Sequence, residues 1–213
     1  MYIQITTRCN MKCAHCCYSC TNKGEDMSME VFRRALKLDD HIELGGGEPT
    51  IHPHFWQILG EAIAWGEFVW LSTNGKRTDI AIALAKMARK GVIACQLSLD
   101  EFHDAIDDCV IEAFECGLKP TYYEHDNADF RNISRNVHNR VVPIGRANDL
   151  DANAVTFIDD CCCPGHIVKP NGNIHQCGCE DSPVIGTVFD YCDIDFDYWE
   201  EGECHNDLKS VAV

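Results

Sequence analysis

His41-Ile42-Glu43-Leu44 runs directly into Gly45-Gly46-Gly47-Glu48-Pro49-Thr50. The first four residues read as a short strand. The glycines that follow mark a tight strand-to-helix turn, where the missing Cβ atoms let other groups come close to the main chain. Upstream, Tyr2–Thr6 predicts a first strand, and Ser28 predicts the cap of a helix reaching about Leu38, with Met29, Phe32, Ala35 and Leu36 on one face. Downstream, Pro53 opens a predicted helix to about Trp65, and Phe68–Ser72 reads as a third strand. Asp79–Lys90 is a helix ended by Gly91, Val92–Leu99 a fourth strand, and 104–116 a helix that closes at Gly117. This strand-helix alternation implies an α/β fold with a parallel sheet and right-handed crossovers, doubly wound or curled toward a barrel. Leu118–Tyr123 and Arg140–Pro143 offer further strands, whereas Asn127–Asn139, rich in Asn and Arg, reads as a long loop.

The 213 residues carry 18 Lys+Arg against 34 Asp+Glu, a formal charge of −16, and 46% of them are hydrophobic. That is enough apolar surface for one globular unit, or one plus an appendage. So strong a negative charge repels phosphate backbones, which argues against duplex nucleic acid as a partner. The longest apolar windows, such as Ile80–Ala85, fall far short of the roughly 20 residues of a membrane span. No basic-then-apolar signal segment opens the chain, so the expected location is cytoplasmic.

Fifteen cysteines dominate the composition. In a reducing compartment, metal ligation explains such a density better than disulfides do. Five lie between Cys9 and Cys20, six between Cys161 and Cys192, with Cys204 beyond. Cys95, Cys109 and Cys116 fall in apolar patterns and are expected to be buried structural thiols. The first group reads Cys9-Asn-Met-Lys-Cys13-Ala-His-Cys16, immediately after the first strand. Three thiolates are one short of a closed tetrahedral zinc site and suit an iron–sulfur cube with one iron left open. A zinc knuckle or chance clustering remains the alternative at this point, and Cys17 and Cys20 offer competing spacings.

This cysteine loop, Gly45-Gly46-Gly47-Glu48-Pro49 after the second strand, Ser72-Thr73-Asn74-Gly75 after the third and Ser98-Leu99-Asp100 after the fourth together resemble the radical SAM superfamily. All four fall at carboxyl ends of successive strands, where parallel α/β barrels assemble their sites. The resemblance implies a compact, incomplete (β/α) barrel over residues 1–147. It also implies a [4Fe-4S] cluster on Cys9, Cys13 and Cys16 whose open iron binds S-adenosyl-L-methionine (SAM) through its amino and carboxylate groups. Gly45, Gly46 and Gly47 would let the main chain approach the ammonium, with Glu48 as a negative partner. Thr73 and Ser98 match positions that hydrogen-bond the methionine or ribose portion, and His15 stands where an aromatic ring borders the adenine. An electron passed to the sulfonium then leaves a 5′-deoxyadenosyl radical that abstracts a substrate hydrogen. That chemistry belongs to the cofactors, and no catalytic side chain is assignable beyond the cluster. Cys17, at a position often aromatic in relatives, and Cys20 are expected to be incidental thiols.

From about Asn148 the sequence turns to cysteines, turns and acids, which predicts a small second module over 148–213. Cys161-Cys162-Cys163-Pro164-Gly165 is followed by Pro170-Asn171-Gly172-Asn173, a hairpin turn that folds Cys177 back toward the 161–163 run. Gly172-x4-Cys177 and the following Val184-Ile185-Gly186-Thr187-Val188 resemble the twitch and SPASM extensions of radical SAM enzymes. This implies an auxiliary [4Fe-4S] cluster on one of Cys161–Cys163, with Cys163 chosen, then Cys177, Cys192 and Cys179, with Cys204 as a substitute. Zinc is the competing occupant. Pro143-Ile144-Gly145-Arg146-Ala147 resembles a Gly-Arg-Ala turn of relatives, so Arg146 is expected on the SAM carboxylate, a substrate anion or a salt bridge. His52 and His54 are expected as surface or supporting groups, as is His103, with a place facing the cavity after the fourth strand as its alternative in Asp100–Asp104. Asp190–Glu203 holds seven acids and no Lys or Arg, which reads as a solvated face. The implied function is a radical SAM enzyme acting on a peptide or protein side chain, supplied with electrons by a flavodoxin or ferredoxin. A nucleotide or small-molecule substrate and a non-catalytic iron–sulfur electron carrier are the alternatives.

Overall fold

In the computed structural model, residues 1–116, 121–122, 129–130, 133–134, 141–155, 165–178, 182–192, 194 and 196 are described. Four strands alternate with four helices as the sequence predicts: β1 (Tyr2–Thr6), α1 (Met29–Ala35), β2 (His41–Gly46), α2 (Phe55–Trp65), β3 (Phe68–Thr73), α3 (Thr78–Arg89), β4 (Ala94–Ser98) and α4 (Asp108–Glu115). Ser28 caps α1, its Oγ accepting from Val31 N at 3.2 Å. Gly91, at φ +71°, ends the turn that follows α3. Strands β1 to β4 pair in parallel and in order, with Ile3, Leu44, Leu71 and Cys95 aligned across the ladder.

The two faces of this sheet differ in chemistry. Ile3, Ile5, Ile42, Leu44, Leu71 and Leu97 are buried against Phe32, Phe55, Ile58, Leu84 and Phe114 of the helices, and this layer is the core. The alternate residues, Tyr2, Gln4, Thr6, Gly45, Ser72, Gln96 and Ser98, point the other way. Strands of a parallel sheet covered on both faces read as continuous apolar runs. Here the polar face is set aside for a site, as in an incompletely closed barrel.

Further strands extend both edges. β7 (Ile133–Ser134) joins β4 in parallel, inside the stretch expected to be a loop, and Ile133 packs against the core. β5 (Thr121–Tyr122) falls within the predicted 118–123 strand but pairs with β6 (Asp129–Phe130) in a separate two-stranded ribbon. Residues 141–143 form no strand. On the other edge, β8 (Ile167–Val168) pairs in parallel with β1, and β9 (Asn173–His175) and β10 (Val184–Thr187) follow antiparallel. The Asn171-Gly172 turn forms as expected, with Gly172 at φ +88° and its N–H donating to Lys169 O at 2.9 Å. The stretch read as a second module thus adds three strands to the same sheet as the first.

Helix α4 starts at Asp108, four residues later than expected, because Asp100 turns the chain locally by accepting from Phe102 N at 2.9 Å while His103 N donates to Asp100 O at 3.2 Å. The face that α4 buries overturns one expectation. Val110 and Phe114 take the buried face, and both Cys109 and Cys116 are exposed, whereas Cys95 is buried as predicted. No helix among the described residues is long and apolar enough to cross a membrane.

Candidate functional site

The cysteine loop leaves β1 and is pinned at its base by Thr7 N donating to Glu25 O and Cys9 N to Thr21 O, each at 2.8 Å. Within it the main chain turns at Cys13–Cys16, where Cys16 N donates to Cys13 O at 3.3 Å, and at Ser19, which adopts φ +49°. Cys9, Cys13 and Cys16 line one cavity of about 390 Å³, and its opposite wall is built from Gly46, Gly47, Ser72, Thr73 and Ser98 at the carboxyl ends of β2, β3 and β4. The four motifs quoted from the sequence therefore converge on one space. Three thiols with oxygen and main-chain groups facing them fit a cubane cluster with one open iron and a ligand that chelates it.

The glycines serve the protein's own backbone. A Cβ on Gly46, at φ +127°, would lie 2.1 Å from Thr6 O, and one on Gly47 would lie 1.9 Å from Arg8 O. Without them, Gly47 N and Glu48 N donate to Thr6 O and Arg8 O at 2.8 Å, which sews the end of β2 to the entry of the cysteine loop. A Cβ on Gly45 would collide with the Tyr2 ring, so Tyr2 covers this residue, and Gly46 and Gly47 alone of the three reach the cavity.

Glu48 is 1% exposed and is held by its neighbours. Oε1 accepts from Thr50 N (3.2 Å), Thr50 Oγ1 (2.5 Å) and Thr73 Oγ1 (2.8 Å), and Oε2 accepts from Asn74 N (2.7 Å). Burial raises its pKa above the ordinary value, and the hydrogen bonds from Asn74, Thr50 and Thr73 offset part of the rise. Glu48 thus ties the ends of β2 and β3 together while lining the cavity. Thr73 Oγ1 donates to Glu48 and accepts from Gly75 N at 3.2 Å, so its hydroxyl is committed to the same network. Asn74 completes it by donating from Nδ2 to Asn10 Oδ1 at 2.9 Å and to Cys9 Sγ at 3.7 Å.

A second polar group lies across the cavity. His103 Nδ1 meets Asp100 Oδ1 at 2.7 Å, and His15 Nε2 stands 3.4 Å from Asp100 Oδ2. Burial depresses the His15 pKa. For His103 burial acts in the same direction, but hydrogen bonds with Asp100 and Cys13 prevail and raise it to about 9. His15 Nδ1 is buried and has no hydrogen-bond partner in the protein, an acceptor or donor left over for a bound molecule. Sequence reading placed His15 here and gave Asp100 only as part of a motif, although this carboxylate organises both imidazoles.

Cys20 is buried, and hydrogen bonding with it lowers the Cys16 pKa to about 5, while Cys17 is exposed, and both Cys17 and Cys20 line the cavity. The two thiols expected to be incidental thus belong to the wall of the site. Arg146, expected on an anion, instead donates from Nε to Cys13 O at 3.0 Å and from Nη1 to Cys20 O at 2.7 Å. His52 is buried, with Nε2 3.0 Å from Met27 O and Nδ1 accepting from His54 N at 3.0 Å, a supporting pair as expected. In the C-terminal stretch, Cys177 is buried against Ile144 and Cys192 is exposed. Cys161, Cys162, Cys163, Cys179 and Cys204 lie outside the described residues.

Residues 3–142 match the sequence pattern of the radical SAM superfamily. The chain belongs to this superfamily. The mycofactocin maturase MftC of Mycobacterium ulcerans (strain Agy99) is 32% identical over 116 residues, which are 50% of this chain and 30% of the relative. A tungsten-containing aldehyde ferredoxin oxidoreductase cofactor-modifying protein of Pyrococcus furiosus is 34% identical over 111 residues, 47% of this chain and 30% of that one. The matched part is thus under a third of either radical SAM relative. Among solved structures, native anSMEcpe with bound AdoMet superposes with a TM-score of 0.52 at 18% identity, over 89% of this chain and 77% of that one. At that identity the likeness concerns the fold, an α/β architecture with a mostly parallel sheet.

Proposed function

We propose that this chain is the radical-generating part of an enzyme that cleaves SAM reductively and abstracts hydrogen from a peptide or protein side chain. One observation carries the reading. Cys9, Cys13 and Cys16 open onto the same cavity as the ends of β2, β3 and β4, in a chain of the radical SAM superfamily. When bound, the cluster and SAM supply one-electron chemistry and the hydrogen-abstracting radical.

The residues of this chain prepare the space. Glu48, Thr50, Thr73 and Asn74 lock the ends of β2 and β3, so that Gly46 and Gly47 line the cavity where the methionine end of SAM would be held. Ser98 at the end of β4 offers a hydroxyl to the ribose, and His15 offers its ring and unpartnered Nδ1 to the adenine. Asp100 orients His15 and His103 at the wall of the cavity. The peptide reading is supported by the relative whose name describes a maturase. Electrons come from a small reducing protein of the flavodoxin or ferredoxin type.

The C-terminal stretch is proposed to hold an auxiliary cluster on Cys177 and Cys192 with Cys163 and Cys179, in a module spanning 148–213. Cys177 supports this by its place directly after the hairpin, buried beside the segment that contacts the first cysteine loop. Anaerobic incubation with candidate precursor peptides carrying deuterated side chains tests the substrate class. Deuterium should appear in 5′-deoxyadenosine with peptides, and transfer from small metabolites alone would replace the peptide reading with a small-molecule one.

A further inference from the structure

The Gly145–Asp149 turn packs directly on the cysteine loop, although about 130 residues separate them in sequence. Gly145 sits at φ +59°, and a Cβ there would lie 2.3 Å from Cys17 O and 2.7 Å from Cys16 O, so no other residue lets the two backbones approach this closely. Arg146 follows with three bonds to three carbonyls. Its backbone N–H donates to Cys16 O (3.1 Å), Nε to Cys13 O (3.0 Å) and Nη1 to Cys20 O (2.7 Å). The loop's own turn bonds are longer, at 3.3 Å for Cys16 N to Cys13 O and 3.2 Å for Ser19 N to Cys16 O. The loop has no regular secondary structure, so its backbone is fixed from outside.

We infer that Arg146 is a positioning residue for cluster assembly, a clamp that turns the carbonyls of Cys13, Cys16 and Cys20 away from the cavity so that the thiols of Cys9, Cys13 and Cys16 converge within it. The inference rests on the reading that these three cysteines hold the cluster. A planar guanidinium suits the task because its donors diverge at fixed angles and engage two carbonyls at once, which a lysine ammonium on a single flexible stem cannot reproduce. The guanidinium also places a fixed positive charge beside a cluster whose three thiolates leave it negative, an arrangement that favours the reduced state. Arg146 therefore acts through the loop, without touching the reacting atoms.

The test compares Arg146→Gln and Arg146→Lys with wild type and with Arg33→Gln, which breaks only the exposed Arg33–Glu61 ion pair at 2.8 Å. After anaerobic reconstitution, iron per chain and the rate of iron loss to a chelator are measured, together with the midpoint potential of the retained cluster. Both Arg146 variants should lose iron faster, by about tenfold or more for Gln, the factor expected from one hydrogen bond to a charged group. Gln should also lower the midpoint potential while Lys should not, a split that a general loss of stability does not produce. In the iron-free protein, amide exchange should accelerate at residues 13–20 in both variants and nowhere in Arg33→Gln, which keeps the clamp testable if a variant takes up little iron. Release at the wild-type rate in either variant, or unchanged exchange in the loop, would overturn the clamp. A wild-type protein that binds no iron would instead overturn the cluster reading on which it rests.

Discussion

Glu48→Gln is the perturbation whose cost follows most directly from the coordinates. The exchange keeps the volume, so no cavity is created, and it replaces one oxygen by an NH2 group that cannot accept. Two backbone donors face the carboxyl group from opposite sides, Thr50 N toward Oε1 and Asn74 N toward Oε2, and whichever way the amide is turned one of them loses its acceptor. The Thr50 and Thr73 hydroxyls can rotate to accept from the NH2; a backbone N–H cannot. Leaving one buried donor unpaired costs about 1–3 kcal/mol, and in a chain of this size each kcal/mol moves the melting temperature by about 2–4 °C. The expected loss is about 2 kcal/mol, or roughly 4–8 °C. Its pH dependence has a definite sign. Because burial raises the folded pKa above 4.5, the contribution of Glu48 to stability is fully present below that value and is lost as pH rises through the folded pKa. Glutamine does not titrate, so the gap between the two proteins narrows as pH increases. Calorimetry of the iron-free, reduced proteins from about pH 5.5 upward reads both effects. Equal melting temperatures at the acid end, or a gap that widens with pH, would refute the reasoning.

Gly46→Ala forces a Cβ against Thr6 O at positive φ and should cost at least about 2 kcal/mol, measured by chemical denaturation, whereas Gly60→Ala, with open space around it, should not destabilise. Asn74→Ala removes the N–H···S contact to Cys9 and should lower the midpoint potential of the first cluster by about 20–60 mV, a neutral hydrogen bond of about 0.5–1.5 kcal/mol expressed for one electron. A potential within about 10 mV of wild type would remove Asn74 from that role. If the C-terminal stretch carries a second cube, reconstituted protein should hold about eight irons per chain, and a Cys9/Cys13/Cys16 triple alanine variant should keep about half. About four irons and one zinc would make the module a structural zinc site.

The part of the site carried by contiguous residues was legible before any coordinates. Cys9, Cys13 and Cys16 and the glycine turn are read from spacing beside a strand, Thr73 and Ser98 from the family resemblance, and the parallel order of β1 to β4 then delivers them to one edge. What escaped depends on contacts distant in sequence or on helix phase. Arg146 looks in sequence like an anion-binding arginine, and its bonds to the carbonyls of Cys13 and Cys20 join segments too far apart in the chain for any local pattern to show. Cys20 lies outside the spacing of the ligand triad, yet the loop buries it at the same cavity as Cys16. For Cys109 and Cys116 the apolar pattern alone does not set which side of α4 turns inward: packing buries Val110 and Phe114, and both cysteines fall on the exposed side. Strand β7 was hidden by Asn- and Arg-rich neighbours, since two residues paired with β4 leave no periodic pattern.

The central claim is that Cys9, Cys13 and Cys16 form the centre that cleaves SAM. Anaerobically reconstituted protein, reduced with dithionite and given SAM, is assayed for 5′-deoxyadenosine beside its Cys13→Ala and Cys109→Ala variants. Wild type and Cys109→Ala, whose thiol is exposed outside the cavity, should release it at equal rates, and Cys13→Ala should release none although fourteen cysteines remain. Undiminished release from Cys13→Ala, or no release from a wild-type protein shown to hold its iron, would contradict the account.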